Sequence, residues 1–278
     1  MLEFFHVIIL AVVQALTEFL PISSSGHLVI MQNILGFKEA NISLNIMLHM
    51  GTLLAVIVYF FKDLLNILFD CISALGELFQ GSRPSDILYR NPNLKLFLFS
   101  LIACIPAGIV VLFFHDLITS SFESLLVVGC SLIFTGVIVY FTKNLISEGK
   151  DLYQFKVRDS FWIGVAQSLA ILPGVSRSGM TIATGLARGL DRELAFKFSF
   201  ILSIPTILAA FVFDLENMNK IEMGQLVLYL VGAFVSFVLG LLAIKILSKI
   251  IMKGNFYLFS YYCFFVGVMT IIVHFFQK

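Results

Sequence analysis

The stretch QALTEFLPISSSGHL, residues 14–28, breaks an apolar run with a carboxylate, three serines and a histidine. Its outline returns 153 residues downstream as QSLAILPGVSRSGMT, residues 167–181, where the acid and the histidine are gone and an arginine stands instead. The two copies align without a gap: Gln14 with Gln167, Leu16 with Leu169, Ser23 with Ser176, Ser25 with Ser178, Gly26 with Gly179. Matching polar residues in so apolar a chain indicate duplication. Neither copy is an ordinary membrane helix, because proline removes a backbone donor, glycine loosens the chain, and a broken backbone cannot face lipid.

The rest of the sequence supplies the setting. Of 278 residues, 59% are hydrophobic and 13% charged, with mean hydropathy +1.00, which excludes a soluble globular domain. Long apolar runs between short charged patches indicate a polytopic helical membrane protein. No segment alternates with a period of two, so a barrel is excluded. The net charge of +1 and the lack of a basic cluster with interleaved aromatics give no nucleic-acid partner. Cys71, Cys104, Cys130 and Cys263 form no CxxC pair and read as small buried hydrophobes. The N-terminus lacks a basic region and a small-residue cleavage site, and reads as mature protein.

Three segments in each half approach the ~20 apolar residues that a crossing requires. They are residues 44–61, 94–114 and 125–141, then 198–213, 226–246 and 256–276. Residues 63–79 carry acids at intervals and predict an amphipathic helix at the membrane interface. Each motif region reads as a short helix, a break and a shorter apolar arm, over residues 4–35 and 161–190. Such a region is either a kinked crossing or a re-entrant hairpin. Basic residues separate the two. With hairpins, fourteen of the eighteen Lys and Arg fall on one side, Lys38, Lys220 and Lys278 fall on the other, and Arg177 lies within a break. That bias makes the first side cytoplasmic. Full crossings would instead put Arg188, Arg192 and Lys197 opposite Lys150, Lys156 and Arg158.

The predicted fold is therefore an all-α polytopic membrane protein with an inverted-topology repeat, each half a re-entrant helical hairpin plus three transmembrane helices. Residues 1–142 form the first repeat, 143–158 a cytoplasmic linker and 159–278 the second repeat. A hairpin plus three crossings inverts the second half, and the two hairpin tips should meet near the midplane.

The merged tips would gather Gln14, Glu18, Ser23, Ser24, Ser25 and His27 with Ser176, Arg177, Ser178 and Thr181. Ionisable groups inside a membrane are functional hypotheses by default. Backbone N–H groups around Gly26 and Gly179, at helix starts, favour an anion, and the Arg177 guanidinium suits phosphate oxygens. Glu18, four residues after Gln14 on the same helical face, would repel phosphate unless a divalent cation, Mg²⁺ or Ca²⁺, lay between them. His27, three residues after Ser24, could deprotonate it, activate water or attack phosphorus; the residues alone do not choose. His49, on the first spanning helix, either lines the site or packs. Plainer readings are serines that glue helices and a purely structural Glu18–Arg177 pair; several matching coincidences would be needed for them.

ALTEFLPISSSGHL together with LPGVSRSGMT resembles the undecaprenyl-diphosphate phosphatase family of bacterial inner membranes, whose members confer bacitracin resistance. The hydrophobic layout matches over essentially the whole chain, and HMGTLLAVIVYF and FSFILSIPTILAAF also resemble family helices. The resemblance implies metal-dependent hydrolysis of the lipid carrier diphosphate to its monophosphate and inorganic phosphate, at a site accessible from the periplasm. It assigns the metal and diphosphate to Glu18, with Gln14 at the first position of that element, phosphoryl stabilisation to Arg177, and the nucleophilic or acid–base step to Ser24 and His27. One departure is Gln14, where many relatives have Glu, which removes a charged ligand. The implied partner is a polyprenyl diphosphate lipid in the bilayer, and a homodimer stays open. The main rival is a lipid-phosphate transporter or flippase using the same anion site, although such a carrier gains little from Glu18 and His27.

Overall fold

The computed structural model describes residues 2–36, 42–145, 149–213 and 223–277. Among these the regular elements are all helical, with one isolated bridge between Lys150 and Leu190. In chain order they are α1 (Leu2–Phe19), α2 (Ser24–Ile34), α3 (Ile42–Tyr59), α4 (Phe61–Phe79), α5 (Pro84–Arg90), α6 (Pro92–Ser121), α7 (Leu125–Phe141), α8 (Val157–Leu169), α9 (Arg177–Ala187), α10 (Arg192–Phe213), α11 (Met223–Met252) and α12 (Phe259–Phe276). Five are long and apolar enough to cross a membrane, and the bent pair α3–α4 makes a sixth if counted as one. The axis turns by 74° between α3 and α4, so the acid-bearing segment after residue 62 lies across the spanning direction. Large apolar side chains stay exposed along α4, including Leu68, Phe69, Ile72 and Leu75.

Two spans run further than their hydropathy suggests. Helix α6 continues past residue 114 to Ser121, with a kink at Phe114 (φ −124°, ψ 23°), and α11 fills 30 residues. In both, polar residues at the ends stay helical because the backbone ladder continues beyond the apolar stretch. The short helix α5 was not anticipated. Of the cysteines only Cys263 is fully buried and Cys130 is exposed, so the small-core-residue reading holds for one of them. Lys38, Lys220 and Lys278 lie outside the described residues.

Both motif regions double back. The second hairpin, α8–α9, closes on itself: Lys150 N–H donates to Gly189 O at 3.0 Å, and Arg188 pairs with Asp159 at 2.8 Å. In the first, Val7 of α1 shares a core cluster with Leu28 and Leu35 at either end of α2. Other basic residues from the larger group gather at one end of the bundle. Lys95 donates to the carbonyls of Leu152 and Tyr153 (2.9 and 3.0 Å), Lys197 pairs with Asp63 (2.7 Å), and Arg192 donates to Met252 O (3.1 Å).

Packing relates the halves. Helix α1 lies on α11 as α8 lies on α6, and α7 pairs with α12. A Cβ at Gly129 would stand 2.9 Å from Gly267 O, and one at Gly267 would stand 2.9 Å from Gly129 O, so α7 and α12 approach backbone to backbone. The elbow after α1 and the elbow after α8 touch directly. Gly174 N–H donates to Ser23 Oγ at 3.1 Å, and Ser178 Oγ donates to Leu20 O at 3.2 Å. Thr135 of α7 fixes the second elbow, donating to Gly174 O at 2.9 Å and accepting from Ser176 N–H at 3.1 Å. Below the junction Phe19 stacks on Phe200 of α10, with centroids 5.3 Å apart.

The junction leaves no room for a side chain at Gly26, where a Cβ would stand 2.9 Å from Gly174 Cα. Backbone cannot swing aside as a side chain does. Gly26→Ala should therefore destabilise the protein by about 1–3 kcal/mol, read as a lowered thermal denaturation midpoint in detergent.

Candidate active site

Each elbow ends in the same cap. Ser23 Oγ accepts from Gly26 N–H at 3.3 Å and Ser176 Oγ from Gly179 N–H at 3.1 Å, which is what the repeated Ser-x-x-Gly spacing is for. Ser23 lies 3.2 Å from Ser25 Oγ, and Ser176 lies 3.2 Å from Ser178 Oγ. Ser23 alone among the described non-glycine residues has a positive φ, 67°. Such a conformation is strained by ~1–3 kcal/mol, and the bonds to the second elbow hold it. The N-termini of α2 and α9 thus start from one junction, and their partial positive charges act there together.

Glu18, buried in the last turn of α1, is the hub. Its Oε1 accepts from Arg177 Nη2 across the junction. Its Oε2 accepts from Gln14 Nε2 at 3.0 Å and from Ser24 Oγ at 2.5 Å, and faces His49 Nε2 at 3.3 Å. His49 in turn donates through Nδ1 to Asn45 O at 2.7 Å, and Asn45 Oδ1 accepts from Gln32 Nε2 at 2.9 Å. A polar ladder therefore leads away from the carboxylate along α3 and α2. It flanks a cavity of about 820 Å³ whose wall includes Glu18, Ser24, His49, Ser176 and Arg177. Ser23 and Ser25 also reach that wall.

Other sequence-derived candidates hold the frame. Gly26 and Gly179 make the close turns, Ser178 ties the elbows, and Thr181 bonds Ser199 of α10 at 2.7 Å. His27 is not brought to Ser24. Its Nδ1 donates to Ser23 O at 2.8 Å, its Nε2 meets Tyr262 OH at 2.9 Å, and it lines a separate cavity with Tyr262 and Lys253. The spacing of three residues suggested reach, but both imidazole nitrogens are already engaged away from the carboxylate. The histidine beside Glu18 is His49.

The sequence reading passed over Asn45, Gln32, Tyr262 and Gln167 as site-forming residues. Gln167 was visible only as the counterpart of Gln14. It is buried, lines the 820 Å³ cavity, and neither of its amide atoms has a hydrogen-bond partner. Gln14 Oε1 is likewise buried without a partner, beside the Glu18 carboxylate. Among the described residues no three His, Cys, Asp or Glu side chains cluster as a metal site. Glu18 offers a hard oxygen for a Mg²⁺- or Ca²⁺-type ion whose other ligands come from a substrate, and the unpartnered Gln14 Oε1 would offer a second if its amide were turned about, since Nε2 now faces the carboxylate.

The fold and site together define an integral-membrane protein that carries a serine, a carboxylate and a guanidinium in contact inside the bundle. The family model of bacitracin resistance protein BacA matches residues 7–269. The undecaprenyl-diphosphatase of Methanobrevibacter smithii is 40% identical over 97% of this chain and 97% of its own length. That of Alkaliphilus metalliredigens is 41% identical over 96% and 98%, and that of Korarchaeum cryptofilum 40% over 96% and 98%. The chain belongs to the bacitracin resistance protein BacA family.

Because His27 is turned toward α12, Tyr262→Phe should act on stability and not on chemistry. Loss of the hydroxyl leaves His27 Nε2 unpaired and should cost about 1 kcal/mol. Thermal denaturation should register the change while the contacts of Glu18, Ser24 and Arg177, and any turnover they support, persist.

Proposed function

We propose that this chain is an integral-membrane phosphatase that hydrolyses undecaprenyl diphosphate to undecaprenyl phosphate and inorganic phosphate, and thereby confers bacitracin resistance. Family membership and the names of its relatives support the reaction. The observation that carries the mechanism is the Ser24 Oγ–H donated to Glu18 Oε2 at 2.5 Å, with Arg177 on the other carboxylate oxygen. Ser24 Oγ attacks the terminal phosphorus and its proton passes to Glu18. The P–O bond to the bridging oxygen breaks, and the lipid monophosphate leaves. Glu18 gives that proton to the departing monophosphate oxygen; water, deprotonated by Glu18, then attacks the phosphoserine phosphorus, and the proton returns to Ser24 Oγ as inorganic phosphate leaves. Arg177 moves from Glu18 to the equatorial phosphoryl oxygens, where charge stabilisation dominates this chemistry. Gln14 and Glu18 would hold a divalent cation. When bound, such an ion screens the carboxylate from the phosphate. A carrier would not need a hydroxyl hydrogen-bonded to a buried base, and that contact favours hydrolysis over translocation.

The same reading takes the halves as inverted, with hairpins entering from opposite membrane faces. The gathering of basic residues at one end and the reciprocal α7–α12 approach support this. The cavity then opens toward the periplasm of the bacterial inner membrane, where the polar ladder from His49 to Gln32 leads, and the polyprenyl tail lies in apolar grooves between helices.

Purified protein in detergent with Mg²⁺ should release phosphate from a long-chain polyprenyl diphosphate, and chelation should suppress it. Ser24→Ala should lower kcat by at least about 10²-fold with the fold intact, whereas Glu18→Ala and Arg177→Ala should lose turnover and also lower the thermal midpoint, because each strands a buried charge. Intact, well-folded wild type that releases no phosphate would refute the assignment.

A further inference from the structure

The two glutamines at equivalent places in the duplicated motif have different surroundings. Gln14 spends its Nε2 on Glu18, one helical turn on, at 3.0 Å. At the same offset the second copy has Ile171 in place of that acid, so Gln167 has no partner on its own helix. None comes from elsewhere: Gln167 is 3% exposed, and both Nε2 and Oε1 lack hydrogen bonds. A buried amide left unpaired is destabilising, whereas one that meets a ligand is not. The residue borders the cavity that also holds Ser24 and Arg177, with Ile171 and Ser176 on the same wall, and its amide atoms are covered, so meeting a ligand requires the side chain to turn toward the cavity. The cavity, about 820 Å³, has room for more than one phosphoryl group.

We propose that Gln167 binds the phosphoryl group that Ser24 does not attack, so that the cavity reads a diphosphate through two subsites. This rests on the phosphatase reading for the identity of the substrate. Arg177, Glu18 and Ser24 engage the terminal phosphoryl group, and Gln167 Nε2–H donates to an oxygen of the lipid-linked one. A neutral donor fits this position. It supplies a hydrogen bond to an anion without adding a second cation that would retain the monophosphate product. The acceptor Oε1 is met by a phosphate-bound proton or by water carried in with the headgroup. Gln167 is thus a specificity-determining residue for diphosphates over monophosphates.

The test uses the full chain in detergent, with Gln167→Met as an apolar side chain of similar length. Two inhibitors probe the subsites: methylenediphosphonate, which resists hydrolysis and can fill both, and inorganic phosphate, which fills one. Removing an unpaired amide should leave the thermal midpoint unchanged or raise it. KM for polyprenyl diphosphate and the inhibition constant of methylenediphosphonate should rise about tenfold, the weight of one charge-assisted hydrogen bond. The inhibition constant of inorganic phosphate should stay put, and kcat should change less than KM. Equal shifts for both inhibitors, or no shift for either, would overturn the subsite and mean that the amide only fills space behind the cavity wall. If Gln167→Met does not fold, Gln167→Ala gives the same comparison. Should the wild type release no phosphate, the phosphatase reading fails separately, and calorimetric binding of methylenediphosphonate to wild type and variant still decides the subsite.

Discussion

One contact organises the molecule: the guanidinium of Arg177 on the carboxylate of Glu18, residues 159 apart in sequence and on different hairpins. A carboxylate or guanidinium alone inside an apolar bundle would be strongly disfavoured, and even a pair must be further hydrogen-bonded to be tolerated. Glu18 meets that condition, with Gln14, Ser24 and His49 around its second oxygen. The contact also sets a geometric demand. Both elbows must reach the same point, and the Gly26–Gly174 approach, the Ser23 bond to Gly174 and the Thr135 clamp are how the backbone achieves it.

The duplicated motif divides its labour. Residues that match between the copies build the frame: Ser23 and Ser176 cap the helices, and Gly26 and Gly179 let the turns close. Residues that differ supply the reactive groups of the proposed mechanism. Ser24 is opposed by Arg177 in the alignment and Glu18 by Ile171, so one scaffold delivers a hydroxyl and a base from one side and a cation from the other. Two helix N-termini come with the frame and add a favourable field for anions. The mismatch at Ile171 also leaves the buried Gln167 amide, on the cavity wall, without the carboxylate partner that Gln14 has.

Around this centre the bundle is built for lipid. Phe113, Phe134, Phe234 and Phe265 are exposed on α6, α7, α11 and α12, while serine and threonine side chains between helices bond to backbone carbonyls. Ser160 donates to Phe99 O at 2.6 Å and Ser236 to Ala11 O at 3.1 Å, one contact in each matching helix pair. Apolar side chains thus face outward to lipid as well as inward to the core, and the polar groups between helices take their partners from the protein because lipid offers none.

The amino-acid pattern was enough to give an all-helical membrane protein, a break in the helix at each motif and the meeting of Glu18 with Arg177. Those follow from local rules: apolar length, the loss of a donor at proline, the placing of basic residues, and a gapless internal alignment. It was not enough to choose between histidines. Spacing put His27 near Ser24, yet its ring is held by Tyr262, 235 residues away, and His49 from another helix takes the place beside the carboxylate. Nor did it reveal that Gln167 is unpaired, or that α6 continues beyond its kink. A side chain's direction depends on which partner reaches it first across the bundle, and that is set by how the helices pack, which no local spacing contains.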